Sequence, residues 1–443
     1  MYAWWIATVA ATAGLLFGYD IAVINGALVF LKQQWGLSEV QTEIAASSLL
    51  FGCVFGAAAG GALSDRYGRR RVLMLCAVLF GVSALGAAVP RDLTEFVAAR
   101  FLGGVAIGVA SLIAPLYIAE VAPAGLRGRL VSLNQMAIVT GILLAYFVNW
   151  ALSFEGEQSW RWMFAVAAVP SAAFLAALFL VPESPRWLVA RGRREEAAGV
   201  LRRTLGDEAA AGRELGEIER TIAEESGSLR ELLRPGLRRA LGIALFLAVM
   251  QQWSGVNTVL FYGALILKEQ VGGQSDTAAI GASVLIGLIN FGATIVAIGL
   301  IDRVGRKRLL IGSALGMALC LAGLAAVFGQ EAPPAAAVIA CMLGCVACFG
   351  VGLGPGVWVL LAEIFPNRIR GRAMGLATVA LWVACVALTM TYLSLSSALG
   401  PSGAFSLYAV MCLGTAVFVW QVTPETKGRT LEDIESMFEE KRP

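Results

Sequence analysis

The chain of 443 residues contains no histidine, and only 15% of its residues are charged. Without histidine it cannot build an imidazole proton relay, an imidazole-ligated metal site or a Ser/His/Asp triad. Soluble domains carry about a quarter charged residues, so the composition argues against a water-soluble globule. The formal net charge of +3 is too small to indicate a nucleic-acid partner.

The sequence is instead rich in long apolar runs. Hydrophobic residues make up 58% of the chain, and the mean hydropathy is +0.75. A run of about 20 apolar residues is long enough to cross the hydrocarbon of a bilayer as a helix. We count twelve such runs and therefore predict an all-α membrane protein. The predicted spans cover residues 4–31, 42–63, 72–89, 96–119, 131–153, 161–181, 237–267, 278–301, 308–328, 335–362, 372–396 and 403–422.

The eight cysteines all fall inside these apolar runs, and we interpret them as buried small residues. Cys341, Cys345 and Cys348 share a helical face and include a CxxC motif, so a metal or redox site is the alternative there. The composition leads us to expect neither a metal nor another cofactor.

Basic residues are distributed unevenly among the loops. If both chain ends lie on one side, the loops beginning near residues 64, 120, 182, 302 and 363, with the tail after 422, hold 29 of the 34 Lys and Arg. Cytoplasmic loops of membrane proteins carry this excess of positive charge. We therefore predict a multi-pass protein of the cell membrane with both termini in the cytoplasm.

Charged motifs at the ends of the spans recur in the same order in the two halves of the chain, with offsets between 237 and 243 residues. Parallel repeats of this kind are typical of secondary transporters. The repeated positions are Asp65 with Asp302, Glu120 with Glu363, Arg127 with Arg370, and Glu183 with Glu425. The predicted domains are a six-helix half at 1–181, a cytoplasmic helical linker at 182–236, a second six-helix half at 237–422 and a cytoplasmic tail at 423–443.

Ion pairs among these charges can latch the cytoplasmic ends of the two halves together and break when a central site opens inward. Anchoring of the topology by arginine alone is the alternative, but it does not explain why each glutamate recurs seven residues before an arginine. The candidate gate residues are Asp65, Arg66, Arg69, Arg70, Glu120, Arg127, Glu183, Asp302, Arg303, Arg306, Glu363, Arg370 and Glu425.

Seven motifs extend this pattern over the entire chain: GYD at 18–20, DRYGRR at 65–70, PESPRWL at 182–188, QQWSGVN at 251–257, DRVGRK at 302–307, GPGVWVLLAEIFPNRIRG at 354–371 and PETKG at 424–428. With them the chain resembles the sugar porter family of the major facilitator superfamily. The resemblance implies the major facilitator fold, with twelve transmembrane helices in two six-helix halves and a cytoplasmic helical insert. It also implies sugar transport by alternating access, with the sugar held between the halves.

Amide side chains complement sugar hydroxyls, which both donate and accept, and indole rings cover the apolar face of a sugar ring. Breaks in the helices, which free backbone groups to line a cavity, are expected at Ser254-Gly255 and within the glycine-rich run 350–356. Interhelical hydrogen bonds are the alternative role for the amides. The resemblance implies that the sugar-binding residues are Gln135, Gln251, Gln252, Asn257, Asn290, Trp358 and Trp382.

Asp20 lies midway along the first span and Arg100 in the outer part of the fourth, without a charged counterpart in the second half. An ionisable group inside a span is costly and usually functional. Desolvation favours the neutral carboxyl group and a nearby guanidinium favours the carboxylate, so this pair can act as a proton switch without histidine. The resemblance implies that Asp20 takes the proton and that Arg100 pairs with it. A static ion pair between the two spans is the alternative.

Three positions depart from the family's pattern. Ala167 stands where some proton-coupled relatives carry glutamate, which weakens any mechanism that needs a third ionisable group. Ile142 occupies a position that is glutamine in some xylose carriers and apolar in glucose carriers, and so favours a hexose. Phe261 stands where many relatives have tyrosine, which removes a hydroxyl from the expected site.

We therefore predict a transporter rather than an enzyme. The predicted activity is proton-coupled import of a monosaccharide, glucose or a related hexose, by a monomer. Its partners are the sugar, the proton and the lipid bilayer, with no nucleic acid and no cofactor. The alternatives are a facilitative uniporter in which Asp20 and Arg100 are structural, and a carrier of a polyol such as inositol.

Overall fold

The computed structural model describes residues 1–224, 232–233, 235–271 and 275–427. Within them it contains twelve helical segments that are long and apolar enough to cross a membrane, which confirms the predicted number of spans. The predicted boundaries are shifted by a few residues at most ends. The largest extension is at the twelfth span, which starts at Tyr392 rather than at residue 403, because the eleventh span already ends at Thr389.

The first six spans are formed by seven helices, because the sixth span is interrupted between its two helices. These helices are α1 (Tyr2–Trp35), α2 (Glu39–Tyr67), α3 (Arg69–Ala88), α4 (Leu93–Val121), α5 (Arg127–Leu152), α6 (Ser159–Ala165) and α7 (Ala168–Leu178). A short 3₁₀ turn at Ala124–Leu126 precedes α5.

Three shorter helices follow before the seventh span: α8 (Pro185–Ala190), α9 (Arg194–Leu205) and α10 (Glu208–Glu224). They pack on one another around a small apolar cluster that includes Trp187, Leu201 and Leu215. The indole of Trp187 donates to the carbonyl of Asp65 at 3.0 Å, which attaches this insert to the end of α2. These three helices fall within the range predicted for the linker, residues 182–236.

The last six spans are formed by eight helices, because the seventh and tenth spans are each interrupted. They are α11 (Pro235–Trp253), α12 (Val256–Ile266), α13 (Asp276–Val304), α14 (Arg306–Phe328), α15 (Ala335–Val351), α16 (Leu353–Glu363), α17 (Asn367–Thr389) and α18 (Tyr392–Val422). Most of the predicted tail, from residue 428 onward, lies outside the described residues.

Local sequence explains where several helices begin and end. Ser38 and Gln41 form a capping box at the start of α2, in which each side chain bonds the other's backbone N–H. Asp92 caps α4 by accepting from the backbone of Glu95. Gly36 ends α1 in the left-handed conformation, with φ of 59°.

Glycines allow the helices of the first half to approach closely. A Cβ atom added to Gly52 of α2 would overlap the carbonyl oxygen of Phe101 on α4, and one added to Gly104 of α4 would overlap the carbonyl of Leu49. Backbone-to-backbone packing at small residues is a common basis of helix association in membranes, where lipid removes the hydrophobic driving force. The register of α2 against α4 therefore depends on these glycines.

We call the end of the bundle that holds Tyr2 and Val422 the terminal face, and the opposite end the distal face. At the distal face Lys32 of α1 forms an ion pair with Glu269 at 2.6 Å. Glu43 of α2 is buried and accepts two hydrogen bonds from Ser394, one from its backbone N–H at 2.8 Å and one from its hydroxyl at 2.7 Å. Contacts between the two halves thus close the distal face.

Replacing Gly52 with alanine is expected to lower stability by about 1–3 kcal/mol, because backbone atoms that cannot move aside occupy the position of the new methyl group. The matched control is Gly61→Ala in the same helix, where the added Cβ meets open space. The apparent melting temperature of the detergent-solubilised protein, followed by tryptophan fluorescence, measures the difference. Equal melting temperatures for the two variants would contradict the close packing of α2 on α4.

Candidate functional site

A chain of three amide side chains lies in the interior of the second half. Asn257 Nδ2 donates to Gln252 Oε1 at 2.5 Å, and Gln252 Nε2 donates to Gln251 Oε1 at 3.2 Å. Gln251 Nε2 then donates to the carbonyl oxygens of Leu353 at 2.7 Å and Gly354 at 2.9 Å. All three amides are at least nine-tenths buried. Donors and acceptors are thus arranged in one direction, from the seventh span to the tenth.

Each end of this chain lies at a break in a spanning helix, as the sequence predicts. Gly255 separates α11 from α12 and has a φ of 79°, a conformation that disfavours residues with a side chain. A Cβ atom there would also lie 2.8 Å from the ring of Tyr408. In the tenth span Gly352 separates α15 from α16, and the hydroxyl of Ser313 bridges the break by accepting from Leu353 N at 2.9 Å.

Trp382 brings an indole of α17 to the same region. Its ring centroid lies 5.8 Å from that of Phe17 on α1, so the contact joins the two halves. The side chain is 5% exposed, and its Nε1 atom has no hydrogen-bond partner within the described part of the chain. A buried donor without a partner costs free energy unless a ligand or water satisfies it.

The other three predicted sugar-binding residues lie on neighbouring helices. Asn290 of α13 is buried, whereas Gln135 of α5 and Trp358 of α16 are half-buried. Helix α13 packs against α5, and α16 packs against α11. Over residues 1–224, 232–233, 235–271 and 275–427, no hydrogen bond connects these three side chains to the amide chain.

Asp20 and Arg100 meet in the interior of the first half. Arg100 Nη1 lies 3.3 Å from the carboxylate oxygen Oδ1 of Asp20, and Nη2 donates to the backbone carbonyl of Asp20 at 2.8 Å. Both side chains are almost completely buried, and the guanidinium carbon lies 5.2 Å from the centre of the Phe164 ring. The contact between the charged groups is therefore single and long, whereas the contact with the backbone is short.

A charge cluster joins three elements at the terminal face of the first half. Arg69 forms a two-point ion pair with Glu120, with both N···O distances at 3.0 Å, and also contacts Asp65 at 3.2 Å. Glu183 accepts from the backbone N–H groups at the start of α3, and the hydroxyl of Ser184 donates to Glu120.

The second half repeats this cluster. Arg306 Nη2 pairs with Glu363 at 2.8 Å, and Glu425 accepts from the backbone N–H groups of Arg306 and Lys307. The hydroxyl of Thr426 donates to Glu363 as Ser184 does to Glu120. The internal repeat recognised in the sequence is thus a repeat of hydrogen bonds as well.

The remaining predicted gate residues occupy the edges of the two clusters. Arg70 donates to the carbonyl of Leu178, Arg127 to the carbonyl of Ala119, and Arg370 to the carbonyl of Phe365. The guanidinium of Arg66 lies over the ring of Tyr67, and the carbonyl of Arg303 accepts from Lys427. The side chain of Asp302 lies outside the described part of the structure. The ion pairs described for this layer join elements of one half or the insert.

Sequence reasoning missed the residues that close the distal face. Asn25 of α1 donates to the carbonyl of Leu260 on α12 at 2.8 Å and accepts from the hydroxyl of Ser283 at 2.8 Å. The hydroxyl of Tyr146 donates to the same Leu260 carbonyl at 2.8 Å. An asparagine inside the first span was the available signal, but its partner is 235 positions away along the chain.

Comparisons with known proteins agree over the full length. A family model described as "Sugar (and other) transporter" matches residues 6–438. The arabinose-proton symporter of Bacillus subtilis is 40% identical over 441 residues, which cover 98% of this chain and 94% of that protein. The glucose transporter GlcP of Staphylococcus epidermidis is 38% identical over 427 residues, which cover 96% of this chain and 95% of that protein.

Among solved structures, the xylose transporter XylE of Escherichia coli in a partially occluded inward-open conformation superposes with a TM-score of 0.87. The two chains are 36% identical, and the match covers 97% of this chain and 99% of that one. The fold is therefore that of the major facilitator superfamily, as the sequence predicts.

Replacing Gln252 with alanine is expected to weaken sugar binding by about 5- to 150-fold, because it removes an amide that can donate to and accept from sugar hydroxyls, hydrogen bonds worth about 1–3 kcal/mol together. Binding is measured by quenching of tryptophan fluorescence, with exposed Gln330→Ala as the control. Unchanged affinity in Gln252→Ala would exclude the amide chain from the binding site.

Proposed function

Because this chain belongs to the sugar porter family of the major facilitator superfamily, we propose that it imports a monosaccharide together with a proton. The observation that carries the proton-coupled part of this proposal is the buried contact between Asp20 and Arg100. The sugar-binding part is supported by the amide chain between two broken helices and by the nearby indole of Trp382. Together these groups provide a hydroxyl-binding surface and a titratable group inside one membrane protein.

The hydrogen-bonding geometry around Arg100 supports exchange of a proton at Asp20. Protonation of the carboxylate removes its charge and weakens the contact at Nη1, but the bond from Nη2 to the backbone carbonyl of Asp20 remains. The arginine therefore stays bonded to the backbone of Asp20 when the carboxylate first loses its charge. A buried guanidinium without a counter-ion is costly, so the protonated state favours a rearrangement of α1 against α4. That rearrangement provides the link between proton binding and opening.

The free energy that one proton supplies is large enough to concentrate a sugar. One proton that moves down a membrane potential of about 100 mV supplies about 2.3 kcal/mol. At 1.4 kcal/mol for each factor of ten, this energy sustains about 40-fold accumulation of a neutral sugar before any pH gradient is counted.

We propose a hexose, glucose or a related sugar, as the substrate. The glucose transporter GlcP is among the similar proteins, and so is an arabinose-proton symporter, so the relatives include carriers of both sugar sizes. Ile142 is buried and gives the first half an apolar residue where some xylose carriers have an amide. A competition series of hexoses and pentoses against labelled glucose tests this choice.

The distribution of positive charge supports a cytoplasmic location for the terminal face. With that orientation the closed distal face is the outer one. We propose that the charge clusters around Arg69 and Arg306 close the terminal face when the distal contacts open. In the described conformation Arg69 pairs with Glu120 and Arg306 with Glu363, each within its own half, so closing would require these ion pairs to exchange partners.

Replacing Asp20 with asparagine is expected to abolish accumulation of sugar in proteoliposomes with an imposed proton gradient, because asparagine carries no titratable proton. Exchange of labelled for unlabelled sugar without a gradient is expected to continue, since the substitution leaves the amide chain in place. The exposed Glu155→Gln serves as the control for loss of an acidic residue.

Normal accumulation by Asp20→Asn would exclude proton coupling through this residue. Wild-type protein that equilibrates sugar but never concentrates it would identify a uniporter, in which Asp20 and Arg100 serve only structure.

Replacing Glu120 with glutamine is expected to reduce the rate of uptake at least about tenfold, because it removes the two-point ion pair that orients the buried Arg69. Initial rates of uptake and the apparent melting temperature are measured together, with exposed Arg203→Gln in the insert as control. If the melting temperature falls in proportion to the rate of uptake, the charge cluster serves only to stabilise the fold.

A further inference from the structure

Trp382, Cys385 and Thr389 lie along one face of α17, at positions i, i+3 and i+7. All three side chains are buried, with exposed fractions of 5%, 2% and 0%. Trp382 Nε1 lacks a hydrogen-bond partner among the residues that the structure describes, whereas the hydroxyl of Thr389 interacts with the thiol of Cys385. One unsatisfied donor and one hydroxyl therefore flank the thiol of Cys385 on a buried helix face.

Cys385 also touches the amide chain. Asn257 Nδ2 lies 3.2 Å from Cys385 Sγ, while its other hydrogen is directed to Gln252 Oε1. Sulfur is a weak hydrogen-bond acceptor compared with a hydroxyl oxygen. One of the two N–H groups of Asn257 Nδ2 thus donates to a poor acceptor, although the other hydrogen bonds of the amide chain have oxygen acceptors.

We propose that Cys385 is a specificity-determining contact of the sugar site, and that a hydroxyl of the bound monosaccharide replaces its thiol as the acceptor for Asn257. This inference rests on the proposed function. A sugar hydroxyl accepts a stronger hydrogen bond from Asn257 than the thiol of Cys385 does. The unsatisfied indole N–H of Trp382 and the hydroxyl of Thr389 lie on the same helix face, where they can bind further hydroxyls of the sugar. The sugar-binding wall thereby extends along α17 from Trp382 to Thr389.

The neighbouring residues give this wall an apolar character. Phe261 follows Asn257 by one helical turn on α12 and is buried without a polar atom in its side chain. Neither Cys385 nor Phe261 provides a strong donor, so Asn257 and the indole of Trp382 are the strong donors on this side of the site. The site therefore favours a sugar that offers one hydroxyl to Asn257 and a less polar edge beside it.

The experiment uses the full-length protein in proteoliposomes and begins with a panel of monosaccharides to find one that is transported. Labelling by methyl methanethiosulfonate is then followed at each cysteine by mass spectrometry, with and without that sugar. A saturating concentration is expected to slow labelling of Cys385 at least about fivefold. Cys341, half-exposed on α15, is the internal control, and its labelling is expected to stay unchanged.

Two substitutions distinguish direct contact between the sugar and Cys385 from shielding of Cys385 by closure of the helices. Cys385→Ser provides Asn257 with an oxygen acceptor that competes with the sugar, so affinity is expected to fall about 2- to 12-fold, the effect of one hydrogen bond. Cys385→Ala removes the competitor and is expected to bind the sugar at least as tightly as the wild type. Cys76→Ser, the same change at a buried thiol on α3, controls for a general loss of packing.

Each result of these experiments tests either the proposed function or the proposed contact at Cys385. If no monosaccharide is transported, the proposed function fails whatever the labelling shows. If a sugar is transported but does not protect Cys385, the contact is excluded while the function stands. Protection with unchanged affinity in Cys385→Ser also overturns the contact, since closure of the helices then shields the thiol without the sugar touching it.

Discussion

Backbone groups freed inside a membrane must find partners within the protein, and the hydrogen bonds from Gln251 to the carbonyls of Leu353 and Gly354 meet this requirement. They connect the broken seventh span to the broken tenth span. The same side chain accepts from Gln252, so the amides that can bind a ligand also hold the two breaks in position. A hydroxylated ligand that enters this region must therefore act on both helices at once.

The two halves repeat their outer charges but differ in their interiors. Arg69 with Glu120 and Arg306 with Glu363 form corresponding ion pairs, each supported by a hydroxyl. Within the described residues, the ion pair of Asp20 with Arg100 belongs to the first half and the amide chain to the second. The duplicated scaffold thus carries a buried ion pair in one half and a chain of amides in the other. Coupling between them has to pass through contacts between halves, such as Phe17 with Trp382.

Contacts at the distal face explain how one short helix can control access. Helix α12 begins directly after Gly255, and the carbonyl of Leu260 accepts from both Asn25 and Tyr146 of the first half. Asn257 lies on the same helix, two residues after the break. Movement of α12 away from α1 would therefore open the distal face and displace a residue of the amide chain together.

The spans, the internal repeat and the helix breaks could be predicted from the sequence alone. The apolar runs predicted the twelve spans, the repeated charges predicted two halves, and Ser254-Gly255 and the glycine-rich run 350–356 predicted the breaks, because each of these features depends on local composition or short-range geometry. Only the tertiary structure decided which groups meet. It paired Arg69 with Glu120, placed Cys385 against Asn257 and brought Asn25 to Leu260, because these contacts join residues between 51 and 235 positions apart, whose distances depend on how the helices pack.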